Sequence, residues 1–129
     1  MKKYILFLFF FTISNTYSQE IIDPEKIFNS TEVDKKPEYK GGMEKFYNYI
    51  GKRFRVPDVQ NLKGKIIVEF IIEKDGELTN FKVIQDIGYG SAEEISKAFK
   101  DCPKWKPGIK DGQIVRTLFN FPISIISGS

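Results

Sequence analysis

Apolar residues at Met43, Phe46, Tyr47, Ile50 and Phe54 stand at i, i+3, i+4, i+7 and i+11, one stripe on a helix of about three turns. Val56-Pro57 closes that helix, because a residue before proline is driven out of the helical region. The period then changes to two. Across Lys65–Glu73, Ile66, Val68, Phe70 and Ile72 face one way, and Ile67, Glu69, Ile71 and Glu73 face the other. Apolar residues thus fall on both faces, as in a strand at the centre of a sheet. Lys74-Asp75-Gly76 signals a hairpin, since glycine tolerates the positive φ such turns need. The return strand spans about Leu78 to Gln85, with Phe81 and Val83 on one face.

After the Gly88-Tyr89-Gly90 loop, Ser91-Ala92-Glu93-Glu94 has the form of a capping box, serine and glutamate each satisfying an orphan amide at a helix start. The helix carries Ile95, Ala98, Phe99 and Cys102 on one face, and Pro103 closes it. A last strand, Ile114 to about Ile125, aligns Val115, Thr117, Phe119, Phe121 and Ile123. It also contains Pro122, which cannot donate to a sheet ladder and belongs on an edge or at a bulge. The order helix, strand, strand, helix, strand predicts an α+β fold. It is a two-layer sandwich with a three-stranded antiparallel sheet, order second-first-third, and both helices on one face. The last strand is then an open edge.

The ends of the chain read differently. Lys2 and Lys3 precede an apolar run from Tyr4 to Ile13, and Thr16-Tyr17-Ser18 supplies small residues where a signal peptidase reads. About ten apolar residues cover half of what a bilayer span requires. Residues 1–18 are therefore expected to be a signal peptide cleaved near Ser18. The alternative is an uncleaved anchor that holds the chain in the inner membrane, facing the periplasm. Residues 19–36 are expected to be a flexible leader with at most a short strand near Glu32-Val33, and residues 37–126 the folded domain.

Removing the signal changes the charge. The chain has 20 basic and 17 acidic residues, net +3. Two of the basic residues are Lys2 and Lys3, so 18 against 17 remain, net +1. No surplus suited to nucleic acid survives. The one basic cluster, Lys52-Arg53-Phe54-Arg55, fits a helix end, where the macrodipole favours cations.

Catalytic constellations are thin. The chain has no histidine, the usual general base and commonest metal ligand. Asp75 and Asp86 read as turn formers, and the adjacent Glu93 and Glu94 diverge on a helix. The single Cys102 reads as a small apolar residue rather than a reactive thiol. No catalytic residue, metal site or cofactor is expected, and the chain is read as a non-enzyme. Trp105, between Pro103 and Pro107, is either a large ring packed at the helix–sheet junction or an exposed partner anchor.

Three blocks together resemble the TonB C-terminal domain family, in its Bacteroidetes-type versions. They are Pro37-Glu38-Tyr39-Lys40-Gly41-Gly42-Met43, Gly64–Phe70 with Asp75-Gly76, and Trp105-Lys106-Pro107-Gly108 with Asp111-Gly112 and Phe121-Pro122-Ile123. The resemblance covers about residues 34–126. It implies a periplasmic module in transmembrane transport that docks with outer-membrane TonB-dependent transporters or another envelope protein. A partner segment would add as a strand beside the final strand. The partner-binding residues it implies are Arg116, Thr117, Leu118, Phe119, Asn120 and Phe121 on that edge. Arg53 and Arg55 are added from the stretch where relatives contact the receptor. There, Val56 replaces the tyrosine of a Tyr-Pro pair. Homodimerisation through the same edge is a further expectation. A leader of fewer than twenty residues reaches roughly 65 Å at most, which favours a stand-alone module over a complete energy transducer. The competing readings are a minimal transducer with an uncleaved anchor and a small exported enzyme or inhibitor on the same scaffold.

Overall fold

A computed structural model describes residues 22–127. The expected signal peptide at 1–18 and the start of the leader lie outside these residues. Seven elements follow in order: β1 (Ile27–Asn29), α1 (Met43–Arg53), β2 (Lys63–Ile72), β3 (Leu78–Gln85), α2 (Ser91–Phe99), β4 (Gly108–Lys110) and β5 (Gln113–Ile126). The α+β class and the period-two strands stand as expected, and β2 is central.

The three-stranded antiparallel sheet must be corrected. The sheet has five strands, ordered β1-β5-β2-β3, with β4 also paired to β5. It is mixed: β2 is antiparallel to β3 and β5, whereas β1 runs parallel to β5. The reason lies in the length of β5. Its residues Thr117–Ile126 pair with β2 in unbroken register, Lys63 opposite Ile126 and Ile72 opposite Thr117. Its first residues overhang and fold against β4, with Gly108 opposite Val115. Its outer edge also recruits β1, with Ile27 opposite Arg116 and Asn29 opposite Leu118. The leader strand expected near Glu32-Val33 thus forms five residues earlier, at Ile27–Asn29. The chain after it is tied down too, since Lys35 and Glu38 bridge to Ile109 and Lys106.

The helices cover one face. Phe46 and Ile50 of α1 and Ile95, Ala98 and Phe99 of α2 pack on Ile66, Val68, Phe70 and Ile72 of β2 and on Phe121, Ile123 and Ile125 of β5. Phe46 sits at the hub, with ring centroids 4.6 Å from Trp105, 4.9 Å from Phe121 and 5.6 Å from Phe99. Tilted and edge-on rings at such distances contribute beyond their buried area. Trp105 is buried, so its packing role is the one realised. It is held by its own backbone as well: its N–H donates to the Gly76 carbonyl at 2.9 Å. A β-carbon at Gly76 would collide with the Trp105 carbonyl.

Helix ends differ from the pattern. α1 stops at Arg53 rather than near Val56: Phe54 is already extended, yet its N–H still bonds the Ile50 carbonyl and its ring stays buried. α2 stops at Phe99, so Cys102 lies beyond the helix and is half-buried. The capping box does not form. Gly90 takes the N-cap in the left-handed conformation and makes Ser91 the first helical residue. The buried Ser91 hydroxyl instead turns back, accepting from Ile87 N–H at 3.2 Å and donating to Asp86 Oδ2 at 3.4 Å. No helix among the described residues is long and apolar enough to cross a membrane.

Candidate partner-binding edge

β4 pairs with Gln113–Val115. On the edge of β5 turned away from β2, β1 covers Arg116–Leu118. Beyond Leu118, no strand among the described residues pairs on this side, although the opposite side stays paired to β2 as far as Ile126.

Backbone phase follows from one bond. Ser30 N–H donates to the Leu118 carbonyl at 2.9 Å, so Leu118 points its backbone outward. In an antiparallel ladder, successive residues alternate between pointing at the partner and away from it. The register with β2 has no shift over this stretch, so Asn120, Pro122, Ser124 and Ile126 share the outward phase. Pro122 therefore deprives β2 of no hydrogen bond, which explains how a 14-residue strand accommodates it.

Side chains alternate with the same period. Thr117 and Phe121 are fully buried beneath the helices, and Phe119 is half-buried on that face, its ring 5.7 Å from Trp105. Asn120, Pro122, Ser124 and Ile126 are exposed. Of the six edge residues expected to bind a partner, Thr117, Phe119 and Phe121 thus offer no side chain at the surface. Leu118 is half-buried and its carbonyl is engaged by β1, which leaves Asn120 open on both counts.

Arg116 is committed elsewhere. Its Nε and Nη2 donate to the two carboxylate oxygens of Glu73 at 2.8 and 2.9 Å, and Nη1 donates to the Glu25 carbonyl at 3.1 Å. Thr79 Oγ1 donates to Glu73 as well, at 2.7 Å. The Arg116 bonds, helped by Thr79, hold the Glu73 carboxyl below its ordinary range against the upward push of burial. The cluster clamps β5, the β2–β3 hairpin and the segment before β1 on the sheet face away from the helices.

Arg53 and Arg55 do not belong to this edge. They flank the end of α1 and are exposed, and the Arg53 guanidinium lies 4.3 Å over the Tyr49 ring. Sequence reasoning missed two things here. One is the outward run beyond Asn120, for which the phase of Pro122 was the available signal. The other is the set of lysines that α1 shares with the loop before it.

Among the described residues, no three His, Cys, Asp or Glu side chains cluster as metal ligands. Cys102 stands apart, its thiol pushed up by burial, with a smaller downward effect from the Trp105 indole N–H. That indole has no well-formed hydrogen-bond partner, and the cysteine sulfur is a weak acceptor.

A comparison with curated proteins finds no match, and a comparison with solved structures finds none. The model of one family, described as Gram-negative bacterial TonB protein C-terminal, matches residues 58–124. The match begins after α1 and takes in β2, β3, α2, β4 and nearly all of β5, including Pro122. It spans just over half of the 129-residue chain, and the chain therefore belongs to the family of Gram-negative bacterial TonB protein C-terminal domains.

Proposed function

We propose that this domain is a periplasmic binding module of the TonB type. It would accept an extended segment of an outer-membrane TonB-dependent transporter, or of another envelope protein, as an added strand on β5. Domains of the family are protein-interaction modules rather than enzymes and work in the periplasm. In strand addition, main-chain hydrogen bonds supply affinity and alternate side chains supply selectivity.

The observation that carries this reading is the unpaired outer side of Asn120–Ile126, next to a strand paired along its whole inner side. The docking stretch is accordingly shifted from the Arg116–Phe121 segment toward the C-terminus. Arg116 and Leu118 act as the seat of β1, and Asn120, Ser124 and Ile126 offer the free amides. Residues 1–18 would direct export and be removed, which mass spectrometry of the mature N-terminus tests directly.

The edge is tested with Asn120→Pro and Ser124→Pro. Both remove an outward N–H and leave the β2 ladder intact. Each variant should lose capture of transporter-derived peptides from an envelope extract while keeping a wild-type helical circular dichroism signal. Capture that survives in both variants rules out this edge as the binding surface.

A further inference from the structure

A groove of about 670 Å³ runs between the loop before α1 and the outer face of that helix. Lys40 enters from the loop, and Lys45, Lys52 and Arg53 enter from the helix, with Asn48 between them and Tyr39 and Tyr49 as its floor. No carboxylate lines it. Glu38 and Glu44, the acidic residues nearest in sequence, stay outside. This segregation is unusual for a chain whose charges otherwise nearly balance. The three ion pairs among the described residues join Lys97 to Glu94 and Arg116 to Glu25 and Glu73, and none uses these four cations.

Two of the four cations make packing contacts of their own. Arg53 is stacked on Tyr49, whose hydroxyl donates to the Asp101 carbonyl at 3.4 Å. The Lys45 stem lies across Gly41, where an added β-carbon would fall 2.5 Å from Lys45 Cδ. Burial raises both tyrosine hydroxyls, so the floor carries no negative charge at neutral pH.

We infer that this groove docks an acidic peptide segment of a protein partner. Lys45 and Lys52 lie seven residues apart on the helix, roughly 10 Å along its axis. Four cations and no carboxylate along one groove match several carboxylates of one chain better than a single charge. A membrane surface fits less well, because the aromatic residues lining the groove form its floor and Tyr39 is only 9% exposed. The inference rests on the reading of this domain as a protein-binding module but not on strand addition.

The test is fluorescence anisotropy with a labelled eight-residue Glu-Ser repeat peptide, a Gln-Ser repeat as control, and phosphatidylglycerol vesicles as a second arm. The intact domain should bind the Glu peptide. Affinity should fall about tenfold or more between low and physiological salt, and again in K45E/K52E, as expected for screened surface charges. Asn120→Pro should leave this binding unchanged, which separates failure of the groove from failure of the edge. Equal binding of the Gln peptide overturns the inference, as does indifference to K45E/K52E. Vesicle binding lost in K45E/K52E, with no peptide binding, also overturns it and assigns the groove to lipid.

Discussion

Arg116 and Glu73 face each other across β5 and the end of β2 as a two-pronged ion pair, at 2.8 and 2.9 Å, with side chains only 21% and 22% exposed. Planar guanidinium and carboxylate groups matched in this way are stronger than a single surface contact. Glu73→Gln should destabilise the domain by about 1–2 kcal/mol after allowance for partial exposure, measured by urea unfolding. The pH dependence has a definite sign. The folded-state pKa of Glu73 is lowered, chiefly by Arg116. Its contribution is therefore complete above the ordinary glutamate value of 4.5 and disappears as pH falls through the lowered one. Glu73→Gln should flatten stability in that acid window and leave its slope near pH 7 unchanged.

Gly76 should be one of the least replaceable residues. It sits at φ +87°, and any side chain would meet the Trp105 carbonyl. Gly76→Ala combines about 1–2 kcal/mol of left-handed strain with a backbone collision, so a loss of roughly 2–3 kcal/mol is expected. In a domain of this size that is a melting-point drop of about 10 °C or more. Trp105 fluorescence reports it.

Cys102 should be sluggish toward alkylating agents. Burial raises its thiol pKa above the ordinary 9.0, so less thiolate is present at pH 8 than in the unfolded chain. Iodoacetamide labelling, followed by mass spectrometry, should run several-fold slower in the native protein than in urea. The stability linked to this thiol is intact below pH 9.0 and declines as pH rises through the raised value.

Of the β5 neighbours, β1 should open first. It contributes three residues, against the ten-residue ladder between β2 and β5. Free energies of local opening follow such differences. Native-state hydrogen exchange should show Ser30, bonded to Leu118, exchanging well ahead of the β2 amides. Equal protection would mean that β1 belongs to the global folding unit.

The elements legible in the sequence were those that announce themselves locally. The stripe through Phe46 and Ile50, the alternation of Ile66–Ile72 and the Asp75-Gly76 turn each carry their own period or turn chemistry. Ile27–Asn29 and Gly108–Lys110 carry neither, because three residues cannot express a period. They become strands only through the β5 edge that receives them, a long-range effect invisible to any short window. The same cause moved the candidate site. Pro122 pointed to an edge, but which part of the edge was free depended on where the leader returned. The capping box failed for a local reason: Gly90 entered the left-handed region and took the cap from Ser91.

Pro122 has one more consequence. Exposed sheet edges invite copies of the same chain to stack without limit, and natural proteins interrupt them with proline. On β5 the interruption falls in the middle of the open stretch and breaks its row of donors between Asn120 and Ser124. A chance strand meets that gap and gains little. The edge can therefore stay exposed in a crowded compartment without becoming a seed for aggregation.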